Sequence, residues 1–199
     1  MKDGFANFER RAERERLLGE AFQPVGEFQM WIRPPNPTTR VAIPEALLDQ
    51  FVTWFQGSDP GGPLIEVIIK GSGGSESIAE FQTAAYAALK AAEKFPLQDP
   101  EKVPDPQSFT SMHDNRAMTF DLYQGTGKRQ TQGAAAPVDY QWLIYFGEEQ
   151  TQKIMVCFVI PDSKYSDFQK ALTTCMESLA LAGKVALALQ GGGGAPAGG

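Results

Sequence analysis

Residues 116–179 constrain the fold most, because they change from strand periodicity to helix periodicity within one continuous block. Residues 116–123 alternate apolar and polar side chains, whereas residues 140–146 and 153–160 are mostly apolar. Residues 165–179 then place apolar side chains at helical spacing. A period of two indicates a strand and a period near 3.6 indicates a helix. The block therefore predicts three consecutive strands and an amphipathic helix.

The first half of the chain predicts a similar set of elements. Residues 27–33, 50–56 and 64–70 have strand character, and the last of these is rich in β-branched side chains. Ser77 and Glu80 have the spacing of a capping box, which predicts that a helix begins there. The order of strands, helix, strands, helix predicts an α+β fold with a mainly antiparallel sheet flanked by helices.

Polar and proline-rich stretches predict the connections. Residues 96–107 and 125–137 are predicted to be long surface connections, and residues 147–151 a short hairpin connection. Asp162 or Ser163 is predicted to cap the last helix.

Three segments are predicted along the chain. Residues 1–25 form a charged, helical N-terminal segment, residues 26–182 a single α+β domain, and residues 183–199 a disordered glycine-rich tail.

Composition narrows the partners and the compartment. The net charge of -6 argues against a nucleic-acid surface, which normally carries a basic patch. No apolar run approaches the roughly 18 residues of a membrane span. No signal peptide is visible at the start, so the compartment stays open: periplasmic or envelope-associated if a leader was removed, otherwise cytoplasmic. The oligomeric state stays open as well.

The two cysteines do not form a disulfide framework or a metal-ligand pattern. Cys157 lies in a predicted strand and Cys175 in the helix after it. A bridge between them is one alternative, and two buried free thiols are the favoured one. We predict no metal site and no cofactor.

The sequence predicts no catalytic residue, and hence a protein that is not an enzyme. His113 is the only histidine, and its neighbours Ser108, Ser111 and Asp114 are close in sequence, which is not the convergence that a catalytic triad needs. The glycine-rich residues 71–75 precede a helix but lack the lysine and spacing of a phosphate-binding loop.

Aromatic residues give the better indication of a binding surface. Alternation along the strands is predicted to place Asp121, Tyr123 and Tyr145 together on a half-exposed sheet face, opposite the apolar core face. Trp54 is predicted to border a second cleft. These four are the candidate binding residues, and an ordinary solvated sheet face is the alternative.

The arrangement resembles the PsbP-like superfamily, which includes DcrB-like bacterial lipoproteins and the Ran-binding Mog protein. The resemblance lies in the early strand and prolines of residues 28–35, the strand and helix of residues 65–95, and the closing block that ends at Ser178 and Leu179. It implies an α/β/α sandwich with a non-catalytic role as an extrinsic subunit or adaptor. It also implies that bacterial relatives are exported lipoproteins.

The leading hypothesis is therefore a non-enzymatic binding or adaptor domain with a protein partner, in a bacterial and envelope-associated protein. One alternative is a small-molecule-binding protein or an enzyme of unrecognised type, which uses residues 71–75 or the cleft beside Trp54. Another is a secretion or assembly chaperone that docks through residues 1–20.

Overall fold

A computed structural model describes residues 13, 16–18, 23–24, 30–58, 62–96, 98–113, 115–130, 136–149 and 152–181. The strands of the described residues are β1 (Gln23–Pro24), β2 (Met30–Ile32), β3 (Thr39–Arg40), β4 (Thr53–Gly57), β5 (Ile65–Ser72), β6 (Glu101–Lys102), β7 (Gln107–Thr110), β8 (Ala117–Arg129), β9 (Val138–Glu149), β10 (Gln152–Pro161) and β11 (Ala180–Leu181). The helices are α1 (Ile78–Ala91) and α2 (Tyr165–Glu177), with short 3₁₀ turns at Glu45–Leu47 and Asp162–Lys164.

The main sheet is antiparallel throughout the described strands. Its order is β3-β4-β5-β10-β9-β8-β6, and β7 pairs with the beginning of β8. A small second sheet has the order β1-β2-β11. The predicted α+β class with a mainly antiparallel sheet is confirmed.

The two helices cover opposite faces of the main sheet. Phe81, Ala85 and Leu89 of α1 belong to one buried cluster, and Phe168 and Leu172 of α2 belong to the other. The central strand β10 is buried along nearly its whole length, which explains why its sequence is a continuous apolar run. The arrangement is the α/β/α sandwich that the resemblance implied.

The capping box at the start of α1 is confirmed. Ser77 Oγ accepts a hydrogen bond from the Glu80 amide at 3.2 Å, and Glu80 Oε2 accepts one from the Ser77 amide at 2.7 Å. These two bonds satisfy amides that the first helical turn leaves without a partner.

Ser178 joins the end of α2 to the segment after β2. Its hydroxyl donates to the Cys175 carbonyl at 2.6 Å and accepts from the Arg33 amide at 2.9 Å. The side chain is fully buried. The predicted cap of this helix is wrong: a 3₁₀ turn precedes α2, and neither Asp162 nor Ser163 caps it.

All three predicted connections are partly strand: residues 96–107 contain β6 (Glu101–Lys102) and the first residue of β7, Gln107. The other two extend long strands of the main sheet. Residues 125–129 were predicted as loop, yet β8 continues to Arg129 and pairs with Val138–Trp142 of β9. Residues 147–149 were predicted as turn, yet they extend β9 and pair with β10. In both places tertiary pairing overrides the local preference of glycine and polar residues for turns.

Both cysteines are free and buried, as favoured. Cys157 belongs to the cluster under α1 and Cys175 to the cluster on the α2 face, so the sheet separates their thiols. Residues 1–12 and 183–199 lie outside the described residues, and the predicted segment boundaries stay predictions.

Candidate binding cleft between β8 and β9

The prediction that Tyr123 and Tyr145 share one half-exposed sheet face is wrong. In the β8–β9 register, Tyr123 pairs with Ile144, and Tyr145 pairs with Leu122. Paired residues of antiparallel strands lie on the same face, so the two tyrosines lie on opposite faces. Tyr145 is buried in the cluster on the α2 face, where it has a ring contact with Phe158. Burial raises the pKa of its hydroxyl.

Asp121 and Tyr123 do lie together, on the α1 face near the sheet edge. Asp121 forms an ion pair with Lys102 of β6 at 2.8 Å, and the Lys102 ammonium lies 6.0 Å from the Tyr123 ring centre. Tyr123 is half-buried and meets the ring of Tyr86 from α1. Both side chains thus join an edge strand and a helix to β8.

Trp54 lies on the same face but on β4, four strands from β8 in the sheet order. It is 4% exposed, and its ring makes an edge-to-face contact with the Phe51 ring at 6.0 Å between centres. The ammonium of Lys94 lies 5.2 Å from a Trp54 ring centre and covers the indole. The structure therefore does not bring the four predicted binding residues into one site.

A buried ion cluster lies beside Trp54, and sequence reasoning missed it. The fully buried Glu66 carboxylate contacts the ammonium of Lys94 at 2.9 Å and the guanidinium of Arg129, and it accepts a hydrogen bond from Gln56 at 2.6 Å. Burial acts to raise the pKa of Glu66, but the charges and hydrogen bonds of Arg129 and Lys94 together outweigh it, so that the pKa lies below the ordinary value. The available sequence signal was Glu66 itself, the one charge inside the apolar run of residues 65–69.

This ion cluster lies just beyond the C-terminal end of α1. Lys94 follows α1, Glu66 lies on β5 and Arg129 ends β8, so three separate parts of the chain meet at one carboxylate. Each charge has a partner, and the cluster is satisfied within the chain.

Residues 71–75 and the start of α1 have partners within the chain for part of their polar groups. The Glu80 carboxylate already accepts from the first amide at the start of α1. The Gly74 carbonyl accepts from the buried Lys153 ammonium at 3.1 Å, which holds the loop against β10.

The main sheet divides at one end of β8. β8 pairs with β9 from Asp121 onward, as far as Arg129, whereas Ala117–Phe120 pair with β7. On the other side of the division, Gly147–Glu149 of β9 pair with β10. Within the described chain, no backbone pairing joins Ala117–Phe120 of β8 to Gly147–Glu149 of β9. The edges of these two segments therefore face one another without pairing.

A cavity of about 250 Å³ occupies this division, which we name the β8–β9 cleft. It is lined by Arg116, Ala117, Met118, Thr119, Phe120, Gly147, Glu148, Glu149, Ile154 and Leu179. Phe120, Ile154 and Leu179 are buried and form an apolar floor, and Ala117 and Thr119 are exposed at the opening.

Gly147 allows Phe120 to close the inner end of the cleft. A Cβ atom at Gly147 would lie 2.5 Å from Phe120 Cε1, closer than atoms can approach. At the mouth, the Arg116 guanidinium donates to the Glu149 carboxylate across the cleft, and both side chains are about one-third exposed, at 35% and 34%. The sequence carries no signal of this cleft, because it depends on where β8 changes partner.

Of the residues considered for catalysis, Ser111 has a structural role. Ser111 is buried, and its hydroxyl donates to the Leu179 carbonyl at 3.3 Å. Asp114 lies outside the described residues. Over the described ranges, no group of three or more His, Cys, Asp and Glu side chains is arranged to hold a metal ion. None of the helices described there is long and apolar enough to span a membrane.

Three comparisons relate this chain to known proteins. No protein-family model matches it, and no curated protein matches it in sequence. Its structure is similar to LpqN, involved in cell envelope biogenesis of Mycobacterium tuberculosis, at 14% identity, TM-score 0.42, and coverage of 84% of this chain and 92% of LpqN. It is similar to cyanobacterial PsbP (CyanoP) from Synechocystis sp. PCC 6803, at 11% identity, TM-score 0.43, and coverage of 82% and 94%.

A third similar structure is a protein of Bacteroides thetaiotaomicron, at 11% identity, TM-score 0.39, and coverage of 77% of this chain and 45% of that protein. A PsbP is thus among the solved structures that this chain is similar to, as the sequence resemblance predicted. The similarity is one of fold, at low sequence identity.

Proposed function

We propose that this chain is a non-enzymatic binding domain and that the β8–β9 cleft is its binding site. One observation carries the proposal: the sheet divides over a cavity with an apolar floor, and two strand edges face that cavity without pairing to one another. Unpaired strand edges are a ready template for a partner, and folded proteins usually cover them.

The lining of the cleft supports binding over catalysis. Its titratable side chains are Arg116, Glu148 and Glu149, and two of them form an ion pair. Thr119 contributes a hydroxyl group to the lining. A nucleophile activated by a neighbouring base is the usual requirement for covalent catalysis, and this lining does not supply one.

The size of the cavity suits one apolar group. Ligand pockets of whole drug-sized molecules enclose roughly 300–1,000 Å³, and the cleft is slightly smaller, at about 250 Å³. The apolar floor of the cleft favours an apolar group, whose burial removes its surface from water. The mouth of the cleft opens to solvent between Ala117 and Glu148.

A titration of the full chain with indole tests this proposal. In a methyl-labelled sample, we expect saturable NMR shifts at the methyl groups of Met118 and Ile154, which line the cleft. Replacement Ala117→Trp fills the opening from an exposed position and should weaken binding about tenfold or more. Ala136→Trp adds the same side chain at an exposed position outside the cleft lining and should leave binding unchanged.

Equal indole affinity in the wild type and Ala117→Trp would contradict the assignment of the site. So would shifts that do not saturate at Met118 and Ile154.

We also propose that the protein is bacterial and envelope-associated. This rests on the sequence resemblance at residues 28–35 and 116–179. Fractionation of the native organism, with an antibody against the chain, checks it: recovery in the cytosolic fraction alone would refute it.

A further inference from the structure

We infer that the occupant of the β8–β9 cleft is an extended polypeptide segment that carries an apolar side chain next to a basic one. This inference rests on the proposed function and adds the class of ligand. Three features of the cleft lead to it: its backbone edges, the apolar floor of its cavity and the charge of its rim.

The backbone edges favour a peptide. In an antiparallel strand, alternate residues direct both backbone groups to the same side. Because Ala117–Phe120 pair with β7 on one side, half of their amide and carbonyl groups point toward the cleft. Gly147–Glu149, which pair with β10, present the opposite edge in the same way. An added strand satisfies such groups with main-chain hydrogen bonds, the usual mode of edge-strand recognition.

The cavity selects one side chain of that peptide. Successive residues of a strand point to opposite faces, so an added strand directs every second side chain toward the same face. The floor of Phe120, Ile154 and Leu179 is apolar and buried. The cavity above it has a volume of about 250 Å³, which accepts one large apolar side chain. Gly147 contributes no side chain that would fill this space.

The rim selects a neighbouring positive charge. Glu148 and Glu149 line the cleft with Arg116, which gives the lining a net charge of −1 − 1 + 1 = −1. Lys153 lies 3.7 Å from Glu148, but it is 3% exposed and donates to the Gly74 carbonyl. Glu148 is 43% exposed and, because it is two residues from Phe146 on β9, lies on the α1 face, opposite the floor. The side chain next to the apolar one of an added strand points to that face, where a basic group can pair with Glu148.

A random peptide library displayed on phage and selected on the full chain tests the inference. We expect the enriched peptides to contain an apolar residue next to Lys or Arg. Their affinity should fall about tenfold or more in Ala117→Trp and stay unchanged in Ala136→Trp. Copies of an enriched peptide with N-methylated backbone amides, or with Glu in place of the basic residue, should bind at least about tenfold more weakly.

The outcomes separate this inference from the proposed function. If indole binds at the cleft but no peptide is enriched, or if N-methylated copies bind equally well, the peptide inference is overturned and the cleft remains a small-molecule site. If enriched peptides carry acidic residues, the charge argument is overturned. If neither indole nor peptide affinity responds to Ala117→Trp, both proposals fail.

Discussion

The buried carboxylate of Glu66 offers the most direct test of how this fold is stabilised. Its side chain has no solvent exposure and contacts Lys94, Arg129 and Gln56. The replacement Glu66→Gln keeps the shape of the side chain and removes its charge. It therefore leaves two cations, at 16% and 22% exposure, without their carboxylate partner.

The burial of the ion cluster determines how much the free energy of unfolding should fall. Removing one partner of a buried ion pair typically costs about 3–5 kcal/mol, because the remaining charge stays in a poorly solvated place. The residual exposure of Lys94 and Arg129 allows both cations some hydration, so we expect the lower end, about 3 kcal/mol. For a chain of this size, that loss lowers Tm by about 6–12 °C.

The single replacements Lys94→Met and Arg129→Met should each cost less, about 2 kcal/mol, because Glu66 keeps the other cation. The double replacement leaves the carboxylate buried without a cation. We expect its loss to exceed the sum of the single losses by about 1 kcal/mol or more.

Guanidinium unfolding of the five proteins, followed by tryptophan fluorescence, measures these differences. The matched control is Lys128→Met, which removes one partner of the exposed Lys128–Asp139 pair, at 65% and 62% exposure. That change should stay within about 0.5 kcal/mol. A Glu66→Gln loss no larger than this control would refute the reasoning, as would a double-variant loss equal to the sum of the single losses.

The same variant gives a prediction about pH. Because the pKa of Glu66 is lowered in the folded state, the unfolded chain binds the proton more readily, and this group's contribution to stability rises with pH. The contribution is complete above the ordinary glutamate pKa of about 4.3 and is lost as the pH falls through the lower folded value. The stability difference between the wild type and Glu66→Gln should therefore narrow below about pH 4. A difference independent of pH between about 7 and 3 would contradict this.

Three further changes test the core and the cleft. Gly147→Ala forces the Phe120 ring to move and should cost about 1–3 kcal/mol in chemical denaturation; unchanged stability would show that the ring has room. Ser178→Ala leaves a buried amide without its acceptor and should cost about 1–3 kcal/mol, with a loss below about 0.5 kcal/mol counting against that bond. Burial raises the pKa of both Cys157 and Cys175, so neither should react with a thiol reagent at neutral pH until guanidinium unfolds the chain. Reaction of the native protein would mean that a thiol is accessible.

Local signals in the sequence predicted the elements of this fold well. The capping box at Ser77 starts α1 where it was expected, and the apolar run that becomes β10 forms the centre of the sheet. These features depend on neighbouring residues alone, so sequence reasoning reaches them. Residues 125–129 were predicted wrongly because their glycines and polar residues favour a turn in isolation, whereas the adjacent strand β9 holds them as an edge strand.

The candidate site could not be predicted, because it depends on the register between strands. Alternation within β8 and within β9 is visible in the sequence, but which residue of one strand lies opposite which residue of the other is not. A shift of one residue moves every side chain to the other face, and that is why Tyr123 and Tyr145 were predicted together and lie apart.

The division of the sheet follows from the same property. Residues 117–123 of β8 alternate apolar and polar side chains without a break, yet the first four residues of β8 pair with β7 and pairing with β9 begins at Asp121. Nothing in the alternation marks that change of partner. Phe120 is the residue at the change: its ring belongs to the core on the α2 face and lies against Gly147, where the next β8–β9 pair would stand. The Phe120 ring therefore completes the core on the α2 face and also closes the inner end of the cleft. We expect replacements of Phe120 to affect stability and binding together.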